Sequence, residues 1–177
     1  MVRITGGRYR GRRLDVPGNA RPTTEIARKA AFDILGSGIP GASVLDACSG
    51  SGAYGLEALS RGAVRATFVE KERAAREILK RNIERLAVTA QCAVEGRPVA
   101  AYATLALRAD SPVKFDVVFH DPPFEEPSDE DLGLLLRLLA RDGTLVHERG
   151  DDRIPRTGRT PDDVRRYGRT RLLFYRA

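Results

Sequence analysis

The apolar and polar positions of the chain follow two repeating patterns after residue 42. Short runs of β-branched and apolar residues are typical of buried strands, and longer stretches with apolar residues three or four positions apart are typical of amphipathic helices. The short runs predict strands over 43–48, 65–70, 90–95, 115–121 and 143–149. The stretches between them predict helices over 53–62, 71–86, 97–109 and 128–143. Strands that alternate with helices indicate a parallel sheet with right-handed crossovers and helices on both faces.

The N-terminal part of the chain precedes this alternation. Residues 1–22 are rich in Gly and Arg and predict a short strand or arm that ends in a turn. Segment 23–35 predicts a short amphipathic helix that Thr23 or Thr24 caps. The apolar face predicted for this helix consists of Ile26, Ala30 and Ile34.

The C-terminal part closes the predicted fold. Residues 163–177 predict two strands joined by a turn at Gly168, which would add an antiparallel hairpin to the sheet. We therefore expect a single domain over 1–177, with an N-terminal arm and helix over 1–40 and a core over 41–177. The expected fold is α/β and Rossmann-like, with a mostly parallel seven-stranded sheet.

Charge is concentrated at the two ends of a chain whose net charge is +6. Residues 1–21 hold six Arg and one Asp, and residues 149–177 hold nine Arg and four Asp. Arginine binds phosphate through two parallel hydrogen bonds and stacks on bases, so this distribution favours a surface that faces nucleic acid. A solvated basic face is the alternative interpretation.

Several features that the sequence lacks bear on the compartment of the protein and on its metal content. The chain has no apolar run near the roughly 20 residues that span a bilayer, and no apolar segment follows its basic start. Cys48 and Cys92 are its two cysteines, and their spacing matches no metal motif. We expect a cytoplasmic protein without a signal peptide or a bound metal.

A glycine-rich loop follows the first predicted core strand and opens a helix. In "DACSGSGAYG", Gly50, Gly52 and Gly55 have the spacing that permits a tight turn and close approach of a ligand to the backbone. The next strand ends in Glu70, a carboxylate that can accept hydrogen bonds from the ribose hydroxyls of a nucleoside cofactor. Asp46 and the loop backbone could hold a methionine ammonium. The loop alone leaves a dinucleotide and S-adenosylmethionine open.

The stretch "HDPPF" ends the strand over 115–121 and changes this balance. Asp121 and the carbonyl of Pro122 can accept the two hydrogens of an NH₂ group, Pro123 stiffens the backbone, and Phe124 offers a face to a planar base. Two acceptors on an amine favour a nitrogen whose lone pair points at a methyl donor. The element therefore favours S-adenosylmethionine and amine methylation, because a dehydrogenase has no use for it.

Five segments of the chain together resemble one known family. They are "RITGGRYRGRRLDVP", "RPTTEIARKAAFDIL", "DACSGSGAYGLEALSRGA", "FHDPPF" and "RRYGRTRLLFYR". Nearly end to end, the chain resembles the RsmD-type methyltransferases, which transfer a methyl group from S-adenosylmethionine to the N2 of a guanine in 16S ribosomal RNA. The first segment and the last are more specific than the glycine loop and "DPPF", which many methyltransferases share.

The resemblance implies roles for particular residues. Asp46, Gly50, Ser51, Gly52 and Glu70 would contact the cofactor, with Cys48 in the same loop and Glu95 and Arg97 near its adenine. Asp121, Pro122, Pro123 and Phe124 would hold the guanine. The RNA-facing residues would be Arg8, Arg10, Arg12, Arg13, Arg21 and Thr23. The implied partner is 16S ribosomal RNA within a small-subunit particle, bound by a monomer.

Two departures from the family pattern keep other functions open. Arg97 stands about where the family has an Asp or Asn near the adenine amine, and either Glu95 or the backbone would take over that contact. Lys29 replaces an acid in the helix after "RPT". One alternative is another amino-methyltransferase, with a DNA, transfer-RNA or protein-amide substrate. The other is a non-catalytic RNA-binding assembly factor that retains the fold.

Overall fold

A computed structural model of the chain describes residues 2–18, 25–110, 113–123 and 129–177. The strands are β1 (Val2–Arg3), β2 (Arg13–Leu14), β3 (Ser43–Ala47), β4 (Arg65–Val69), β5 (Cys92–Glu95), β6 (Phe115–His120), β7 (Leu139–Arg149), β8 (Asp163–Tyr167) and β9 (Thr170–Arg176). The α-helices are α1 (Glu25–Leu35), α2 (Ala53–Ser60), α3 (Arg73–Leu86), α4 (Val99–Arg108) and α5 (Asp129–Leu136). None of the helices in these ranges is long and apolar enough to cross a bilayer.

Seven strands form one sheet in the order β5-β4-β3-β6-β7-β9-β8. The first five of these strands run parallel, and β9 pairs antiparallel with both β7 and β8. The predicted α/β fold with a closing hairpin is therefore confirmed. Strand β6 lies beside β3, with His120 opposite Ala47. The two loops that follow β3 and β6 thus leave the same edge of the sheet side by side.

Apolar side chains cover both faces of this sheet. Phe32 of α1, Leu56 of α2 and Leu79 of α3 belong to the cluster on one face. Leu135 of α5 and Ala103 of α4 belong to the cluster on the other face. Burying one large apolar side chain contributes roughly 1.5–3 kcal/mol to the stability of the fold. Because both clusters pack on the sheet, they hold the strand ends at fixed positions.

The buried face of α1 differs from the predicted one. Ile26 is 71% exposed, and the residues that α1 buries are Ala27, Arg28, Ala31 and Phe32. The prediction that Ile26, Ala30 and Ile34 form the buried face of α1 was wrong. The face that packs on the sheet contains a charged residue, Arg28. A hydrophobic pattern assigns an arginine to solvent, and only an ionic partner makes its burial possible.

That partner is Glu57 of α2, and both side chains are fully buried. Arg28 Nε donates to Glu57 Oε2 at 3.0 Å, and the Thr5 amide donates to the same oxygen at 3.1 Å. Glu57 Oε1 accepts a hydrogen bond from Arg61 Nη2 at 2.9 Å and another from the Thr5 hydroxyl. One carboxylate therefore connects the N-terminal segment, α1 and α2.

The N-terminal arm is a ribbon that packs on the core. Strands β1 and β2 pair antiparallel, and Ile4 and Leu14 are buried. A Cβ at Gly7 would lie 1.8 Å from the Ser60 carbonyl oxygen, so the backbone here touches the end of α2. The Arg8 amide donates to that oxygen at 2.7 Å. We call residues 2–14 the N-terminal ribbon.

The boundary between α5 and β7 also differs from the predicted one. The helix ends at Leu136, and β7 begins at Leu139, although the sequence predicted a helix as far as 143. The first part of β7 pairs irregularly: Leu139 lies opposite Phe115, and the regular register resumes at Thr144. The prediction was wrong because an unbroken leucine-rich run fits a buried helix or a buried strand equally well.

Candidate functional site

The glycine loop between β3 and α2 contains glycines with two different roles. At Gly50, where φ is 51°, a Cβ would meet nothing within 4 Å, so the backbone there is open to a ligand. A Cβ at Gly52 would lie 2.4 Å from Leu79 Cδ1, and one at Gly55 would lie 2.4 Å from Phe68 Cε1. The second and third glycines therefore serve close packing of α2 on its neighbours, and the first leaves room for a bound group.

Two carboxylate side chains accept hydrogen bonds from backbone amides of the glycine loop. Glu70 Oε2 accepts the Gly50 amide at 2.8 Å, and Asp46 Oδ2 accepts the Gly55 amide at 2.8 Å. Burial raises the pKa of Asp46, and the charges of Asp121 and Glu70 raise it further against the lowering effect of the Gly55 amide. Three acidic side chains thus act on one another at the carboxyl ends of β3, β4 and β6, where a cationic ligand would relieve their repulsion.

The other loop residues fill structural positions. Cys48 has a positive φ of 63°, and burial raises the pKa of its thiol, which favours the protonated form. The Ser51 carbonyl accepts a hydrogen bond from Asn82 Nδ2 at 3.0 Å. Asn82 also accepts the Asp15 amide at 3.0 Å. Asn82 lies among charged and apolar residues of α3, so the hydrophobic pattern did not indicate that it connects Asp15 to the glycine loop.

Glu95 and Arg97 lie together at the end of β5. Arg97 Nε is 3.1 Å from Glu95 Oε2, and both side chains are partly exposed. The Glu95 carbonyl accepts the Glu70 amide at 3.0 Å, which ties this end of the sheet to the carboxylate below the loop. The predicted adenine-side residues are therefore adjacent to Glu70, and the Glu95 carboxylate is paired with Arg97.

The segment after β6 places Asp121 beside the end of β3. Pro122 is buried, Pro123 is exposed, and Phe124 lies outside the described residues. Before them, His120 stacks on His147 of β7 with ring centroids 4.8 Å apart. Burial lowers the pKa of both rings, that of His147 to about 4, so both imidazoles are neutral near pH 7.

A pocket opens between this segment and the end of β7. Its lining consists of Pro122, Pro123, His147, Glu148, Arg149, Gly150 and Asp151. Glu148 is 4% exposed and accepts a hydrogen bond from Tyr54 Oη at 2.7 Å. Arg149 is paired with Asp151 through two hydrogen bonds of 2.7 and 2.9 Å. The sequence did not single out Glu148 or Arg149, because "HER" there reads only as the end of a strand.

The N-terminal ribbon presents its guanidinium groups to solvent. Arg8, Arg10, Arg12 and Arg13 are all exposed, and none of them forms an ion pair with a carboxylate among the described residues. Arg8 Cζ lies 5.5 Å from the centroid of the Tyr9 ring. Unpaired guanidinium groups are available to phosphate. Arg21 and Thr23, predicted on the same side, lie outside the described residues.

The family described as conserved hypothetical protein 95 matches residues 2–176. The chain belongs to this family. It is 39% identical over 153 residues to Ribosomal RNA small subunit methyltransferase D of Escherichia coli K12, and the match covers 84% of this chain and 71% of that protein. The predicted resemblance to the RsmD-type methyltransferases is thereby confirmed.

Two solved structures share the whole fold. The hypothetical protein TTHA0928 from Thermus thermophilus has a TM-score of 0.87 at 34% identity, and the match covers 98% of both chains. The putative methyltransferase yhhF from Escherichia coli has a TM-score of 0.85 at 32% identity, and the match covers 99% of this chain and 97% of that one. The family's fold therefore extends over the N-terminal ribbon, the sheet and the closing hairpin together.

Proposed function

We propose that this protein transfers a methyl group from S-adenosylmethionine to the exocyclic N2 amine of a guanine in 16S ribosomal RNA. The observation that carries the proposal is the juxtaposition of two loops: the glycine loop leaves β3 where Asp121 and Pro122 leave β6. Ligands of open α/β sheets bind at this edge. The name of the Escherichia coli relative gives small-subunit ribosomal RNA as that protein's substrate, and the identity of 39% supports the same substrate here.

The residues of the glycine loop fit S-adenosylmethionine. The backbone at Gly50 is open to a ligand, and Glu70 and Asp46 supply negative charge beside a cofactor that carries a sulfonium and an ammonium. Glu70 keeps acceptor capacity for ribose hydroxyls beyond its bonds to the Gly50 and Glu72 amides, since a carboxylate has about four lone-pair sites. Cys48, Ser51 and Gly52 would border the cofactor, with Glu95 and Arg97 beside its adenine. When bound, the cofactor supplies a methyl group on a good leaving group.

Asp121 and the Pro122 carbonyl would form the amine clamp. Each accepts one hydrogen of the guanine N2, so the nitrogen lone pair is directed at the methyl group rather than into the purine ring. Pro123 would hold the direction of the carbonyl, and Phe124 would stack on the base. Alignment and local charge can supply most of the acceleration, because no covalent nucleophile or metal is required.

The exposed arginines of the N-terminal ribbon would bind the RNA backbone. Phosphate contacts by Arg8, Arg10, Arg12 and Arg13, together with Arg21 and Thr23, would fix the position of the RNA while the target base enters the site. The same proposal includes three further points. The substrate would be 16S ribosomal RNA within a small-subunit particle, and the enzyme would act in the cytoplasm as a monomer. The chain would divide into an RNA-facing arm and helix over 1–40 and a catalytic core over 41–177.

Mapping methylated nucleotides tests this function. The protein is incubated with S-adenosylmethionine and unmethylated small subunits, and the ribosomal RNA is digested and analysed by mass spectrometry. We expect one N2-methylguanosine with the wild type and none with Asp121→Ala, which should keep its affinity for S-adenosylmethionine within a few-fold. Binding of NAD without S-adenosylmethionine would indicate a dehydrogenase. Binding of RNA without any transfer would indicate the non-catalytic assembly factor.

A further inference from the structure

An acidic residue that the amine clamp does not use lines the same pocket as Pro122 and Pro123. This residue is Glu148, the last residue but one of β7, and it is only 4% exposed. Its carboxylate accepts a hydrogen bond from Tyr54 and has capacity for more than one donor, since a carboxylate has about four lone-pair sites. Its position beside the clamp raises the question of which part of the substrate it would meet.

Tyr54 fixes the direction of this carboxylate. The Tyr54 hydroxyl donates to Glu148 Oε2 at 2.7 Å, and the Tyr54 ring is buried against Phe119 with centroids 4.6 Å apart. Burial raises the pKa of Tyr54, and the charge of Glu148 raises it further, so the hydroxyl keeps its proton and remains a donor. Because α2 and β6 hold the tyrosine, the carboxylate is oriented before any substrate arrives.

The bases differ at the ring atom beside the amine. In guanine, the carbon that bears the NH₂ is bonded to N1, which carries a hydrogen and is a donor. In adenine and cytosine, the ring nitrogen on the Watson–Crick side of the amine is an acceptor. Two acceptors on the NH₂ therefore cannot distinguish the three bases, whereas a third acceptor placed beside them attracts guanine and repels the other two.

We propose that Glu148 accepts the N1–H of the target guanine and so selects guanine at this site, with Tyr54 as its positioning residue. This inference rests on the proposed function, whose amine clamp defines where the NH₂ lies. A carboxylate suits the task because it accepts hydrogen bonds only, and its charge strengthens the bond to N1–H. Its lone pairs would face a lone pair on adenine or cytosine, and this repulsion is only weakly screened at a residue that is 4% exposed.

His147 lines the same pocket and is the competing acceptor. Its Nδ1 lies 3.2 Å from the His120 carbonyl oxygen, and its Nε2 has no hydrogen-bond partner among the described residues. A carbonyl oxygen only accepts, so Nδ1 of the neutral ring carries the proton and Nε2 is left as an acceptor. A carboxylate forms a stronger hydrogen bond to N1–H than a neutral ring nitrogen does, which favours Glu148 over His147 in this role.

The test compares two bases that carry the same amine. The guanosine located by mapping is replaced with 2-aminopurine riboside in a ligated 16S RNA, which is assembled into small subunits. 2-Aminopurine keeps the NH₂ at C2 but has an acceptor at N1. We expect the wild type to prefer guanosine by roughly 100-fold in kcat/KM, because the analogue leaves a buried acceptor without its donor. Glu148→Ala should reduce this preference at least about tenfold, and Glu148→Gln by less.

Matched variants separate recognition from structure. Tyr54→Phe should lower the preference about threefold to fivefold, an effect on base choice that a purely structural role would not produce. His147→Gln should change transfer to the two bases by the same factor. All variants are first compared by their affinity for S-adenosylmethionine, which a folded site retains.

Each remaining outcome contradicts the inference. Equal losses on both bases in Glu148→Ala would mean that Glu148 does not read N1, and a loss of preference in His147→Gln alone would assign that role to His147. In both cases guanosine is still methylated and the proposed function stands. A wild type that binds S-adenosylmethionine but methylates no guanosine would overturn the proposed function and this inference with it.

Discussion

Removing the charge of Glu57 should destabilise the protein more than any exposed substitution. Glu57→Gln keeps the shape of the side chain but leaves Arg28 buried without an anion, and both side chains are fully buried. The new amide would also direct N–H groups at the donors of Thr5 or Arg61, which now converge on the carboxylate. Loss of one partner of a buried ion pair costs about 3–5 kcal/mol.

This cost is large against the roughly 5–15 kcal/mol that holds a domain folded. The assay is equilibrium unfolding in urea followed by circular dichroism. With a slope of about 2 kcal/mol per molar urea, a loss of about 4 kcal/mol lowers the midpoint by about 2 M. The matched control is Glu77→Gln, whose partner Lys80 lies 3.5 Å away with both side chains about half exposed, and its midpoint should barely move.

A second variant tests the cause. Arg28→Met combined with Glu57→Gln removes the stranded cation and should be more stable than Glu57→Gln alone, because an apolar side chain can replace a buried ion pair with little loss of stability. An unfolding midpoint of Glu57→Gln within about 0.3 M of the wild-type value, several times smaller than the expected shift, would refute the role of the buried charge. A double variant that shows the sum of the two single losses would refute it as well.

Three further predictions concern the glycine loop, the histidine pair and the N-terminal ribbon. Gly55→Ala should lower the free energy of unfolding by about 1–3 kcal/mol, because its Cβ would lie 2.4 Å from an aromatic carbon of β4. The control is Gly133→Ala, whose Cβ meets nothing within 4 Å and which should stabilise α5 by about 0.5–1 kcal/mol. Equal effects of the two substitutions in thermal unfolding would contradict the packing role of Gly55. The lowered pKa of His147, about 4, means that its contribution to stability is complete above its ordinary pKa of about 6.5 and is lost as the pH falls through 4. His147→Val should therefore remove up to about 3 kcal/mol of the loss that urea unfolding records between those pH values, and identical pH profiles would argue against it. Replacing Arg10 and Arg12 with Gln should reduce the salt slope of RNA binding by about 1 for each arginine that binds a phosphate, and an unchanged slope would exclude the ribbon from the RNA interface.

The sequence predicted the features of the fold that depend on local pattern. Alternation of strands and helices implied the parallel sheet, and the two runs over 163–177 implied the closing hairpin. Glycine spacing located the tight turn between β3 and α2, although it did not separate Gly50 from the glycines that serve packing. These predictions succeeded because each depends on residues close together in the chain or on a general property of parallel sheets.

The features that the sequence did not predict depend on partners far apart in the chain. The hydrogen bond from Tyr54 to Glu148 spans 94 residues, and neither residue is unusual in its own segment. Arg28 was assigned to solvent because its partner, Glu57, is 29 residues away on another helix. A pattern of hydrophobicity records what a side chain prefers alone, so it misses charged groups whose burial a distant group makes possible.

Helix α2 connects two parts of the molecule that have separate tasks. Its first turn follows the glycine loop, and its last residue, Ser60, holds the N-terminal ribbon. Eight helical residues span about 12 Å, so the helix is a rigid spacer between the glycine loop and the arginines of the N-terminal ribbon. The distance along the RNA between a phosphate bound by the ribbon and the methylated base would therefore be fixed.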